Sequence, residues 1–88
     1  MAIEQSTSAI RGQIRDFIQE VADTKGVSSF SDEEPLLDSG IVDSLSIFRL
    51  VAFLEETFRI RIGDEEITND NLHSVETIEL FVLAKQRK

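Results

Sequence analysis

The chain contains no cysteine, which excludes disulfide bridges and every cysteine-based metal site. Any thiol chemistry would therefore need a thiol from outside the protein's own side chains. Long apolar runs are missing as well, since no stretch of the sequence approaches the length of a membrane-spanning helix. The N-terminal residues lack the basic start and apolar centre of a signal peptide, so we expect the protein in the cytoplasm.

Basic residues are scarce: there are 9 against 17 acidic residues among 88, and the formal net charge is −8. Nucleic-acid binding needs the opposite sign, so the composition argues against that class. No lysine or arginine lies between Lys25 and Arg49 or between Arg61 and Lys85, although both intervals are rich in acidic residues. Such a surface serves solubility, and it also attracts basic partners at long range.

Three segments carry apolar residues at helical spacing, which predicts an all-α fold, a small three-to-four-helix bundle. Helices are predicted at about residues 4–24, 44–58 and 75–86, with a short helical turn at about residues 69–73. The residues expected to face the core are Ile10, Ile14, Phe17, Ile18 and Val21, then Ile47, Leu50, Val51, Leu54 and Phe58, and finally Val75, Ile78, Phe81 and Val82.

Residues 27–43 are predicted to form a long ordered loop between the first two helices. Pro35 and Gly40 interrupt any helix there, and several apolar side chains are available to anchor the loop. The stretch "RIRIGDEEIT", residues 59–68, is predicted to be an extended connector that buries its isoleucines. We interpret residues 1–88 as a single domain.

Familiar catalytic and metal-binding patterns are missing. His73 is the only histidine, and it has no serine or cysteine arrangement around it that would make a triad. The acidic stretches lack the spacing of a calcium-binding loop. We therefore expect no catalytic residue, no metal site and no enzymatic activity. A small metal-dependent enzyme or calcium sensor remains a rival that this spacing disfavours.

The pair Asp-Ser occurs twice, and the two copies differ in the residues after them. "DSG", residues 38–40, is typical of a turn. Asp43 directly precedes the second helix, which it can cap by accepting from the backbone N–H of Leu45 or Ser46. Ser44 then lies at the positive end of the helix dipole, a place that favours a phosphate ester. From these residues alone an ordinary helix start is the stronger interpretation, and modification is the alternative.

"DSGIVDSLSIFRLVAFLEETFRIRIGDEEIT", residues 38–68, resembles the acyl and peptidyl carrier proteins, and the likeness spans nearly the whole chain. Its parts are an amphipathic helix, a long loop, Asp-Ser-Leu opening the second helix, "LEETF" near its end, the "DEEI" connector and a final amphipathic helix. The resemblance implies an acyl-carrier-protein-like fold. It also implies that a phosphopantetheinyl transferase joins 4′-phosphopantetheine from coenzyme A to Ser44, with Asp43 and Leu45 beside it in the motif.

The arm's terminal thiol would then carry acyl or aminoacyl groups as thioesters, which fits the missing cysteine. The implied partners are an acyl- or aminoacyl-loading ligase and downstream synthase or transferase enzymes, in a pathway of fatty-acid, polyketide or nonribosomal-peptide type. Nucleic acids and membranes are not expected partners, and we expect a monomer.

The outer side of the second helix is the predicted docking face, because it carries apolar residues that the core pattern does not use, with acidic residues around them. Its members are Leu45, Phe48, Arg49, Ala52, Glu55 and Glu56. The alternative is that the long loop covers Phe48.

The sequence departs from the family pattern at three positions of this region. Ser46 stands where fatty-acid carriers often have an acidic residue, Arg49 lies in a helix that those carriers tend to keep acidic, and Val42 stands where the family often has a small residue. These differences favour a specialised polyketide, peptide or aminoacyl pathway over primary fatty-acid synthesis. The alternative function is a carrier-like protein-interaction module that is never modified.

Overall fold

A computed structural model gives the structure of residues 7–87, and the three residues 4–6 of the predicted first helix lie outside this described part. Three α-helices follow one another: α1 (Thr7–Thr24), α2 (Ser46–Phe58) and α3 (Val75–Gln86), with a short 3₁₀ helix at Asp64–Glu66 before α3. No strand occurs between residues 7 and 87. The predicted all-α fold, a small helical bundle, is therefore confirmed.

The three helices share one apolar core, in which α1 packs against both α2 and α3. The predicted inward faces supply it, because apolar side chains at spacings of three and four form one stripe along a helix. Most of the predicted core residues are buried, whereas Phe17, Ile47 and Phe81 are partly exposed and pack against the edge of the core.

A glycine stop follows α1, and a serine caps α3. Gly26 follows α1 with a left-handed backbone (φ 78°), and the N–H of Val27 returns to the carbonyl of Ala22 at 2.9 Å. Glycine takes this conformation without the steric penalty that other residues meet. At α3, the hydroxyl oxygen of Ser74 accepts from the N–H of Thr77 at 3.2 Å.

Two local features differ from the prediction, and the short helical turn agrees with it. Regular helix begins at Ser46 rather than at residue 44, because the N–H of Phe48 reaches back only three residues, to Leu45. The turn expected at about residues 69–73 is present and is closed by the hydrogen bond from the N–H of Leu72 to the carbonyl of Thr68, four residues earlier. The connector is interrupted by the 3₁₀ helix at Asp64–Glu66, although it does bury Ile62.

Residues 27–43 form the expected loop, without helix or strand, and they pack across the bundle. Phe30, Leu36 and Ile41 are buried in the core. Backbone hydrogen bonds attach the loop to the start of α3: the N–H of Leu36 donates to the carbonyl of His73, and the N–H of Glu76 donates to that of Asp32.

A charge cluster, consisting of Arg11, Arg15, Asp32 and Glu79, joins α1, the loop and α3. Glu79 is only 1% exposed, and its Oε1 accepts from Arg11 Nη2 at 2.6 Å and from Nε at 3.0 Å. Asp32 accepts from both arginines. The hydrogen bonding of its guanidinium to Glu79 is the main cause that raises the pKa of Arg11 above its ordinary value. An ion pair with a buried partner is weak evidence for net stability, but removal of Arg11 would leave the Glu79 carboxylate buried without its cation.

Candidate functional site

Ser44 is exposed and lies in a tight turn directly before α2. The preceding residue holds this turn in place: Asp43 Oδ1 accepts from the backbone N–H of Leu45 at 3.1 Å and of Ser46 at 2.8 Å. The N–H of Ile47 donates to the backbone carbonyl of Asp43 at 3.0 Å. The predicted capping role of Asp43 is therefore confirmed, with both of the proposed donors in use.

These bonds weaken the expectation that the positive end of the helix dipole favours a phosphate ester on Ser44. The amide groups of Leu45, Ser46 and Ile47 are already occupied, so they do not offer an anion the free donors that a helix N-terminus ordinarily presents. An anionic group on the Ser44 hydroxyl would instead have the carboxylate of Asp43 as its neighbour.

That carboxylate has a second partner, which sequence reasoning missed. Lys25 Nζ, at the end of α1, lies 2.7 Å from Asp43 Oδ2 and 3.4 Å from the carbonyl oxygen of Gly40. Lys25 and, after it, the N–H of Ser46 hold the pKa of Asp43 well below its ordinary value. The available signal was that Lys25 directly follows α1 and that Asp43 lies just before α2, so each stands at one end of the connecting loop.

The other Asp-Ser pair lies in the turn predicted for it. The hydroxyl of Ser39 donates to the carbonyl of Leu36 at 3.3 Å, and its N–H donates to the carbonyl of Pro35 at 2.8 Å. Gly40 follows with a left-handed backbone (φ 84°). Ser39 therefore belongs to the hydrogen bonding of the loop, and it does not begin a helix.

An apolar patch lies beside Ser44, formed by Leu45, Phe48 and Ala52. Leu45 is 78% exposed, Phe48 is 63% exposed, and Ala52 is exposed as well. The loop does not cover Phe48, so that alternative is wrong. Leu80, on α3, is the other large apolar residue that is exposed in the described part of the chain.

The charged residues predicted on this face divide into two groups. Arg49 and Glu56 are exposed, so they are available to a partner. Glu55 is half-buried, and its Oε2 accepts from the backbone N–H of Ile62 at 2.9 Å. Glu55 therefore fixes the start of the connector, and the charges left around the patch are of mixed sign.

Among residues 7–87, no group of three or more His, Cys, Asp or Glu side chains is arranged to hold a metal ion. In the same range, no helix is long and apolar enough to cross a membrane. His73 is half-buried, and its backbone carbonyl holds the loop through Leu36.

The sequence model of one protein family, described as the phosphopantetheine attachment site, matches residues 12–79. Because this match covers most of the 88 residues, the chain belongs to that family of carrier domains, whose members bear a covalently attached 4′-phosphopantetheine. A search of curated proteins finds no match. An exposed serine at the start of a capped helix, within the matched residues, fits the attachment of such a group.

Proposed function

We propose that the protein is an acyl carrier protein in which Ser44 bears the 4′-phosphopantetheine arm. The supporting observation is that Ser44 is exposed on a turn that Asp43 caps, inside the matched residues 12–79. The other serine of an Asp-Ser pair, Ser39, donates its hydroxyl to its own loop. The two serines therefore differ in geometry as well as in sequence context.

The arm supplies a thiol that carries acyl or aminoacyl groups as thioesters, which the chain itself cannot do without cysteine. The hydroxyl oxygen of Ser44 forms the phosphodiester by attacking the phosphorus next to the pantetheine of coenzyme A. The pyrophosphate bond breaks, adenosine 3′,5′-bisphosphate leaves, and the hydroxyl proton passes to a base of the transferase. Asp43 keeps the turn in one conformation. The chain makes and breaks no other bonds in this proposal, so it is a shuttle between enzymes and not an enzyme. The cytoplasm is its proposed compartment.

We assign partner docking to the apolar patch of Leu45, Phe48 and Ala52, with Arg49 and Glu56 at its edge. An apolar centre with charges around it is the usual anatomy of a small interface. The matching partner surface has an apolar centre, an acidic group opposite Arg49 and a basic group opposite Glu56. The proposed partners are a phosphopantetheinyl transferase, a loading ligase and downstream synthases or transferases.

The proposed pathway is of a specialised polyketide, nonribosomal-peptide or aminoacyl type. Arg49 supports this choice, because it gives the docking face a positive charge that partners of uniformly acidic carriers would not match. Ser46 contributes less to the choice than its sequence position indicates, since it is 8% exposed and its N–H donates to Asp43.

Intact-mass spectrometry tests the attachment. Wild type, Ser44→Ala and Ser39→Ala are incubated with coenzyme A and a broad-specificity phosphopantetheinyl transferase. We expect the mass of one arm on wild type and Ser39→Ala, and none on Ser44→Ala. Because the chain has no cysteine, a thiol reagent should label the modified protein once and the unmodified protein not at all. An arm on Ser44→Ala would contradict the assignment.

The alternative function is an interaction module that uses the same patch without an arm. The exposure of Leu45 and Phe48 supports either function, because both need a docking face. Wild type that gains no arm in the same experiment would favour the module.

A further inference from the structure

The carboxylate of Asp43 uses both of its oxygens at the start of α2. Oδ1 accepts from the N–H groups of Leu45 and Ser46, and Oδ2 accepts from Lys25 Nζ at 2.7 Å. The side chains of Lys25 and Asp43 are 32% and 49% exposed, so the ion pair is accessible to solvent. The carboxylate therefore has one orientation in which both helix cap and ion pair are made.

Lys25 is itself held by the end of α1. Its N–H donates to the carbonyl of Ala22 at 2.9 Å, and the chain then turns away at Gly26 through a left-handed backbone. Its ammonium group also approaches the carbonyl of Gly40 at 3.4 Å. The two ends of the loop, residues 27–43, are thus joined by one side chain directly before Ser44.

We propose that Lys25 is a positioning residue for Ser44, and this inference rests on the proposed function of that serine. Lys25 holds Asp43 in its capping orientation, which keeps the turn bearing Ser44 in one conformation. Its charge also offsets that of the Asp43 carboxylate, next to which the anionic phosphodiester forms. The amide groups of the turn cannot do this, because Asp43 already occupies them.

Loss of Lys25 removes the partner of Oδ2 and leaves Asp43 held only by the N–H groups of Leu45 and Ser46. A smaller fraction of the molecules then presents Ser44 in the conformation that the transferase binds. The apparent KM for the carrier rises by the inverse of that fraction, while kcat is retained. An exposed ion pair has a small effect, which corresponds to a rise in KM of about two- to fivefold. Lys25→Arg keeps a cation and should restore the KM.

The test measures initial rates of arm transfer from coenzyme A by a broad-specificity transferase, with the carrier concentration varied. Lys25→Met is compared with wild type, Lys25→Arg and Lys85→Met. Lys85 is a matched control, because it also pairs with a carboxylate, that of Glu66, at 2.8 Å. We expect a raised KM for Lys25→Met alone. Circular dichroism confirms that each variant is folded.

A second measurement follows the carboxyl group of Asp43 by NMR titration, which needs no arm. Its pKa should rise in Lys25→Met and stay unchanged in Lys85→Met. An unchanged KM in Lys25→Met, or a fall in kcat alone, overturns the positioning role and leaves the proposed function standing. Wild type that accepts no arm overturns the proposed function and this inference with it.

Discussion

Phe48→Glu is the substitution that examines the docking face most directly. The phenylalanine is 63% exposed, and a whole aromatic side chain offers roughly 200 Å² of surface, so about 125 Å² is available to a partner. At about 25 cal/mol per Å², full burial of that area contributes about 3 kcal/mol. Every 1.4 kcal/mol is about tenfold in an equilibrium or rate constant, so loss of this burial alone corresponds to a loss of at most roughly a hundredfold.

Partners rarely cover a side chain completely, and we therefore expect kcat/KM to fall by about ten- to a hundredfold. The assay measures arm transfer from coenzyme A by the transferase and, separately, loading of the modified carrier by its ligase. Leu80→Glu is the matched control, because Leu80 is 61% exposed but lies on α3 and outside the patch. Circular dichroism shows whether both variants keep their helices.

The difference in kcat/KM between Phe48→Glu and Leu80→Glu shows whether the patch is a docking surface. A new glutamate on an exposed apolar site changes the net charge equally in both, so a general electrostatic effect would slow both equally. A value of kcat/KM for Phe48→Glu within twofold of that for Leu80→Glu, in both reactions, would refute the assignment of the patch as an interface.

Two further predictions concern stability. Leu54 is fully buried, so Leu54→Ala should lower the free energy of unfolding by about 2–5 kcal/mol. The total expected for a chain of this length is about 4–13 kcal/mol. Urea denaturation measures the free energy of unfolding of this variant and of the control Leu80→Ala, which should stay within about 0.5 kcal/mol of wild type. Equal losses of stability in the two variants would contradict the assignment of Leu54 to the core. Lys25 and, after it, Ser46 lower the pKa of Asp43 from its ordinary 3.8, so this carboxylate stabilises the fold above that pH and the contribution is lost as pH falls through the lowered value. Wild type should therefore exceed Asp43→Asn in stability at neutral pH and converge with it in acid, whereas a difference independent of pH would contradict the ion pair.

Local rules account for the features that the sequence predicted well. A stripe of apolar residues faces the core wherever a helix packs on another, which is why Ile14 and Leu54 are buried as expected. Asp43 caps through residues two and three positions away, and Phe48 is exposed because the opposite face of α2 meets the core. Each of these features depends on neighbours within one or two helical turns.

Features that depend on distant partners were not predictable in the same way. Glu79 resembles a surface acid in the sequence, but it is buried, and Arg11, 68 residues away, donates to its Oε1. Glu55 was predicted at the docking face, whereas its carboxylate holds the N–H of Ile62. The attachment of the arm at Ser44 stays a prediction, supported by the family match and the local geometry.

The charge cluster has a consequence for how the molecule opens. Arg11 and Arg15 lie one turn apart on α1, where two like charges repel each other. Asp32 of the loop accepts from both, and Arg11 also pairs with Glu79 of α3. Departure of the loop would therefore expose this repulsion and, with it, weaken the contact between α1 and α3. Through these charges, the attachment of the loop and the contact between α1 and α3 are thermodynamically coupled.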